Sequence, residues 1–244
     1  MLWFHARLFG RNTYFSQLLV TSTLAILALQ VLAAHANGVP DDEPIWVRSA
    51  IVGTWTVCTV AAGIVGFQRF QGTLVHLVMT PGSPTRTLLP LVGSAATFGL
   101  LSFPLAALTA AVFGYAPRIS SWPALLAGAV ALWGACLAVS AVVAAVFVLT
   151  PNAFTYQGLL GVPLILVSGV FGVPAGLPEP LLAVTYGVPT TAAVRLLLEQ
   201  PSGPRFAWLV VLSLASTLLW FVASRSAMRR ALDRARVTGT LEVI

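Results

Sequence analysis

The stretch Phe67–Pro90, FQRFQGTLVHLVMTPGSPTRTLLP, is the longest polar-marked break in the first two-thirds of a chain otherwise made of apolar runs. It carries Arg69, His76 and Arg86, and it closes on the breaker cluster Pro81-Gly82-Ser83-Pro84. Between these, Gly72 to Met79 reads as a short helix with Leu74, Leu77 and Val78 on one face, an i, i+3, i+4 stripe. A short amphipathic helix held between two apolar runs and stopped by Pro-Gly is suited to touching a soluble partner.

The apolar runs decide the class. Of the 244 residues, 58% are hydrophobic and 8% charged, and the mean hydropathy is +0.91. Soluble domains carry about 25% charged residues, so this chain lacks the polar surface of a water-borne globule. Runs of about 20 apolar residues are long enough to cross a bilayer as helices. No strand-length alternating segments stand out, which favours a helical bundle over a barrel. Six spans are expected, at about 16–36, 49–67, 88–113, 123–149, 155–173 and 206–223, in a single domain over 1–244. Pro174 to Pro204 lies between the last two and is broken by prolines into pieces too short to cross. It reads as two short re-entrant or interfacial helices, the second from Thr190 to Gln200 with Arg195 and Glu199.

The charges follow this topology. All 13 basic residues are arginine. Six spans put both termini on one side, together with Arg7, Arg11, Arg69, Arg86 and the tail arginines Arg225, Arg229, Arg230, Arg234 and Arg236. Arg48, Arg118, Arg195 and Arg205 fall on the other side with five of the seven acids. The excess of positive charge marks the cytoplasmic face, so both termini and Phe67–Pro90 are expected in the cytoplasm. The net charge of +6 therefore reflects membrane orientation and not nucleic-acid binding. Trp46, Trp122, Trp208 and Trp220 fall near expected interfaces, as does Trp3. With Phe4, Arg7 and Arg11, Trp3 suits an N-terminal helix lying in the membrane surface. The basic tail suits anionic lipid.

Several chemistries are missing. No span holds an Asp or Glu at mid-depth, where a coupled carrier keeps its costly charge. No His, Cys and Glu cluster has metal spacing, and neither HExxH nor GxSxG occurs. With no lysine, a phosphate-cradling G-x-x-x-x-G-K-[ST] loop is excluded. Cys58 and Cys136 sit in apolar runs as small buried hydrophobes, not a disulfide.

Two motifs in this layout resemble a known family. One is G-T-L-x-x-L-x-x-T-P after the second span: Gly72-Thr73-Leu74, Leu77 and Thr80-Pro81. The other is S-G-V-x-x-x-P-x-x-L-P from the fifth span: Ser168-Gly169-Val170, Pro174 and Leu177-Pro178, followed by Pro189 and Arg195. The order of elements is similar to the integral-membrane permease subunits of ABC-type exporters, the daunorubicin-resistance-like permeases that handle drugs, antibiotics, polysaccharides or lipids. The resemblance implies an all-α membrane fold with an elbow helix at the N-terminus (Trp3, Phe4, Arg7, Arg11). It implies a cytoplasmic coupling helix that docks on an ATPase subunit through Gln71, Gly72, Thr73, Leu74, His76, Leu77, Thr80 and Pro81. Short outer helices would lie between spans five and six. The family often has Glu at the positions of Gln68 and Val75; the permease is expected to pair as a homodimer or a heterodimer, with the heterodimer preferred because its partner would supply that charge.

The function so implied is ATP-driven export of a hydrophobic or amphipathic drug or antibiotic through the inner membrane of a bacterium. The chain itself is expected to be no enzyme and to bind no cofactor, ATP and Mg being held by two copies of the ATPase. A second permease subunit completes the pathway, which Thr21, Thr54 and Ser168 are candidates to line. The alternatives are export of a lipid or polysaccharide, a non-transporting membrane scaffold, and a secondary carrier.

Overall fold

A computed structural model describes residues 13–37, 44–63, 93–149, 153–172, 178 and 183–238. Every regular element among them is helical: α1 Thr13–Asn37, α2 Ile45–Ala62, α3 over 93–99, α4 Ser102–Val112, α5 Trp122–Leu149, α6 Ala153–Val167, α7 Pro189–Glu199 and α8 Gly203–Thr238. Four helical stretches are long and apolar enough to cross a membrane: Thr13–Ala36, Gly93–Val112, Trp122–Val148 and Gly203–Arg234. Ile45–Val60 is a shorter apolar helix. The chain is a helical membrane protein. The expected elbow and the whole of Phe67–Pro90 lie outside the described residues.

The bundle is built around α2. From Ile45 to Thr59 this helix is buried at nearly every position, with α1, α4, α5, α6 and α7 all packed against it. Such all-round burial needs neighbours that come close, because lipid gives helices no hydrophobic drive to associate. The sequence provides small residues at the crossings. On α4, Ser102, Ala106 and Ala110 are buried at every fourth position, a flat stripe for α2 to lie on. Gly99 lets the carbonyl of Thr54 approach, so that a Cβ there would sit 3.1 Å from that oxygen. On α2, a Cβ at Gly53 would run into the Thr23 hydroxyl of α1 and lie 2.9 Å from Ser102 Cβ. Three helices meet at this glycine.

Hydroxyl groups fasten the same crossing. The Thr54 hydroxyl lies within hydrogen-bonding distance of three partners, the Ala50 carbonyl at 2.9 Å, the Gly99 carbonyl at 3.1 Å and Ser102 Oγ at 2.7 Å, its one proton shared among them. Ser102 Oγ also reaches the Ala50 carbonyl across the helix pair at 2.6 Å. Lower down, Ser140 of α5 donates to the Cys58 carbonyl at 3.0 Å. Cys58 and Cys136 are both buried free thiols, as their apolar setting requires.

The long helices α5 and α8 run side by side in the same direction. Ala131 packs near Leu209, Gly134 near Thr217, and Ala144, Ala145 and Val148 against Met228, Ala231 and Leu232. Parallel neighbours require the chain to return between them, and α6 lies in that interval.

Three expectations change. The second helix begins at Ile45, earlier than position 49. Pro44 starts it by accepting the Arg48 amide at 3.1 Å, and Arg48 lies in its first turn, half-buried, instead of in a loop. Trp46 is a core residue and no belt residue, 6% exposed. The last helix does not stop near 223: α8 continues unbroken through the basic tail to Thr238, because no Gly or Pro follows Pro204 until Gly239.

The three-helix crossing makes a sharp expectation. Gly53→Ala should destabilise the protein by about 1–3 kcal/mol through overpacking, read as a lower unfolding temperature in detergent. Thr23→Ala added to it should recover part of the loss, while Gly134→Ala, whose Cβ would meet only Thr217 Cγ2 at 3.6 Å, should be near neutral.

Candidate functional site

The end of the bundle bearing the α1–α2 and α4–α5 connections is capped by α7. Its sequence begins with Pro189 at the first helical turn, after an extended Val188, where a missing amide costs nothing. It ends at Gln200, whose φ of 42° and ψ of 54° give the left-handed cap. Buried residues cover Pro189 to Val194 and Leu196–Leu197, so this is no helix resting on a membrane surface. It is inserted between α5 and α8. Gly128 of α5 makes the room, since a Cβ there would stand 2.8 Å from Leu197 Cγ.

The turn that leads into α7 reaches well along α8. Trp220 donates its indole N–H to the Gly187 carbonyl at 2.8 Å, and Trp208 meets the Tyr186 ring edge-on with centroids 5.6 Å apart. These tryptophans are twelve residues apart, about 18 Å along a helix. From this turn α7 runs back towards the start of α8, its Leu196 packing with Leu209. Of the two short helices expected in this interval, the second is α7; of the first, residues 183–185 are helical and 181–182 lie outside the described residues.

Arg195 is the charged side chain of this cap. It is half-buried, donates to the Tyr186 hydroxyl, and places its guanidinium 4.5 Å from the centre of the same ring. An aromatic face and a hydroxyl compensate a cation that apolar packing would otherwise penalise. Glu199 lies on the far side of the turn, bonded to Arg205 at 2.5 Å, where solvent makes the pair worth little.

Side chains tie the cap to the neighbouring connections. Gln200 Oε1 accepts the amides of Ser120 at 2.7 Å and Ser121 at 3.0 Å, satisfying donors at the start of α5 that have no helical partner. Nearby, His35 Nδ1 stands 2.9 Å from the Val31 carbonyl and 3.0 Å from the Tyr115 hydroxyl. His35 is accordingly a bonded histidine at a helix end.

The expected pathway residues fall in different settings. Thr54 is spent on the α2–α4 crossing. Ser168 is buried, its hydroxyl bonded to the Ile165 carbonyl at 2.5 Å at the end of α6. Thr21 is exposed on α1, with its hydroxyl turned back to the Gln17 carbonyl at 2.7 Å. Gln71, Gly72, Thr73, Leu74, His76, Leu77, Thr80 and Pro81, like Trp3, Phe4, Arg7 and Arg11, are outside the described residues. No group of His, Cys, Asp and Glu among the described residues could hold a metal ion. The stacking of Arg195 on Tyr186 was not read from the sequence. Its signal is weak: nine residues separate the two, across a turn whose depth the sequence does not reveal.

Compared with protein-family models, curated proteins and solved structures, the chain matches none.

The Arg195–Tyr186 pair should behave as a unit. Arg195→Met and Tyr186→Leu should each lower stability, and the double variant should lose less than the sum, leaving a coupling of about 1–2 kcal/mol. Unfolding titrations of the four proteins in mixed micelles measure it.

Proposed function

We propose that this chain is the transmembrane subunit of an ATP-driven exporter of the ABC type, working with a separate ATPase. The observation that carries the reading is the Gly72-Thr73-Leu74, Leu77, Thr80-Pro81 segment, set after the second apolar helix in a sequence without a G-x-x-x-x-G-K-[ST] loop. The described architecture is compatible with it. Helices occupy all six expected intervals, α5 and α8 run parallel as the fourth and sixth of six alternating spans must, and a short buried helix stands between the fifth and sixth.

In this reading ATP binding draws two ATPase subunits together. The segment Gln71–Pro81 transmits that motion to the helices, a two-state element biased by ligand. The arginine distribution supports a coupling segment and both termini in the cytoplasm of a bacterium, with α7 towards the outer face. The cargo passes between two permease subunits, since α2 fills the centre of this one. Of the three pathway candidates, Thr21 has the position that a second subunit or a cargo could reach. Walls without charge favour a hydrophobic or amphipathic cargo such as a drug or antibiotic.

A cognate ABC-type ATPase subunit, co-expressed with this chain, should be retained through detergent purification. Leu74→Asp with Leu77→Asp should strip it off and bring transport to background, with the permease still folded by size-exclusion chromatography. Extracts that never retain an ATPase, together with full transport by the double variant, would defeat the reading.

A further inference from the structure

The exposed face of α8 forms one continuous stripe that changes character along its length. Val211, Leu214, Leu218, Leu219 and Val222 are each more than 60% exposed. The same i, i+3, i+4 progression then brings Arg225, Ser226, Arg229 and Arg230, all exposed, onto that face. The opposite face is held: Met228, Ala231 and Leu232 are buried against Ala144, Ala145 and Val148 of α5. The helix therefore cannot turn its arginines away. An open groove of about 570 Å³ runs where the two characters meet, lined among the described residues by Val222, Arg225, Ser226, Arg229 and Arg230.

We propose that this stripe is a binding site for an anionic phospholipid, its phosphate among Arg225, Arg229 and Arg230 and its acyl chains along Leu218, Leu219 and Val222. Two lengths agree. Val211 to Val222 spans about 16 Å of helix, half of a hydrocarbon core about 30 Å thick, which is one leaflet. The arginines begin where that leaflet ends. Arg229 and Arg230 enclose a site one turn beyond Arg225, and none of the three forms an ion pair among the described residues. Ser226 directs its hydroxyl to the Ala223 carbonyl at 2.8 Å, which leaves the guanidinium groups as the donors. Free phosphate has no use for the apolar half of the stripe. A second copy of the chain packed in register about an axis normal to the membrane would set arginine against arginine. The inference needs only that the chain spans a membrane, and it stands apart from the exporter reading.

The full-length protein in a neutral detergent should be titrated with phosphatidylglycerol, phosphatidylcholine or inorganic phosphate, and bound lipid counted by native mass spectrometry. Phosphatidylglycerol should be retained well above phosphatidylcholine, and inorganic phosphate should not displace it at equal concentration. The triple variant Arg225→Gln, Arg229→Gln, Arg230→Gln should weaken that retention about 100-fold, each basic group near an anionic surface being worth about fivefold. Arg118→Gln, on the α4–α5 connection, should leave retention unchanged. If the triple variant fails to fold, Arg229→Gln alone should show about a fivefold loss, and Arg229→Lys should restore most of it. Equal retention of both lipids, displacement by inorganic phosphate, or undiminished retention by the variants would overturn the proposal. So would a triple variant that loses only self-association while keeping its lipid, since that outcome assigns the stripe to a protein contact.

Discussion

The closeness of three helices at Gly53 is the constraint on which the bundle depends. In water, apolar side chains drive helices together at almost any separation that excludes solvent. In lipid the alternative to a neighbouring helix is an equally apolar tail, so helices gain only from near contact and from polar groups that find each other. Gly53, Gly99 and the Ser102-Ala106-Ala110 stripe remove the bulk that would hold α1, α2 and α4 apart. Thr54 and Ser102 then reach carbonyls on the opposing helix. A central helix buried on all sides follows from that approach, and the remaining helices have α2 to pack around.

The α7 insertion uses the same device at a second place. Gly128 admits Leu196 and Leu197, and the helix is closed at one end by Pro189 and at the other by the left-handed Gln200. Its charge and its depth are coupled. Arg195 can sit half-buried because Tyr186 offers it a ring face and a hydroxyl, and Tyr186 is where it is because Trp208 and Trp220 hold the turn against α8. The cap is thus a set of mutually dependent placements, in which loss of any one leaves a polar group without compensation.

Much of this was legible beforehand, for reasons that differ by element. Apolar run length marks helices α1, α5 and α8 with little ambiguity, but nothing in the sequence says which hydroxyl meets a carbonyl of another helix. The start of α2 was misplaced because Asp41 to Pro44 reads as a loop up to Trp46, whereas Pro44 is a good helix initiator and Trp46 packs inward. Tryptophan near a span end suggests a membrane interface, but burial depends on what crosses above it, which a single sequence does not carry. That α7 is too short to cross a bilayer could be expected from its length. Its burial between α5 and α8 could not, since its small partner, Gly128, lies more than 60 positions away. Thr21, Thr54 and Ser168 all turn their hydroxyls to backbone carbonyls of their own segments, but Thr21 faces outward while Thr54 and Ser168 are buried inside the subunit.

The uninterrupted course of α8 has a mechanical meaning. Helices bend sharply at proline, at glycine pairs or where a side chain breaks the hydrogen-bond ladder, and between Arg205 and Thr238 there is no proline and no glycine. A rod of 36 residues extends about 54 Å, with the arginines in its second half and the α7 cap attached along its first half by Trp208 and Trp220. Whatever tilts the basic end must displace the cap in the same stroke, because the rod has no joint at which the motion could be lost.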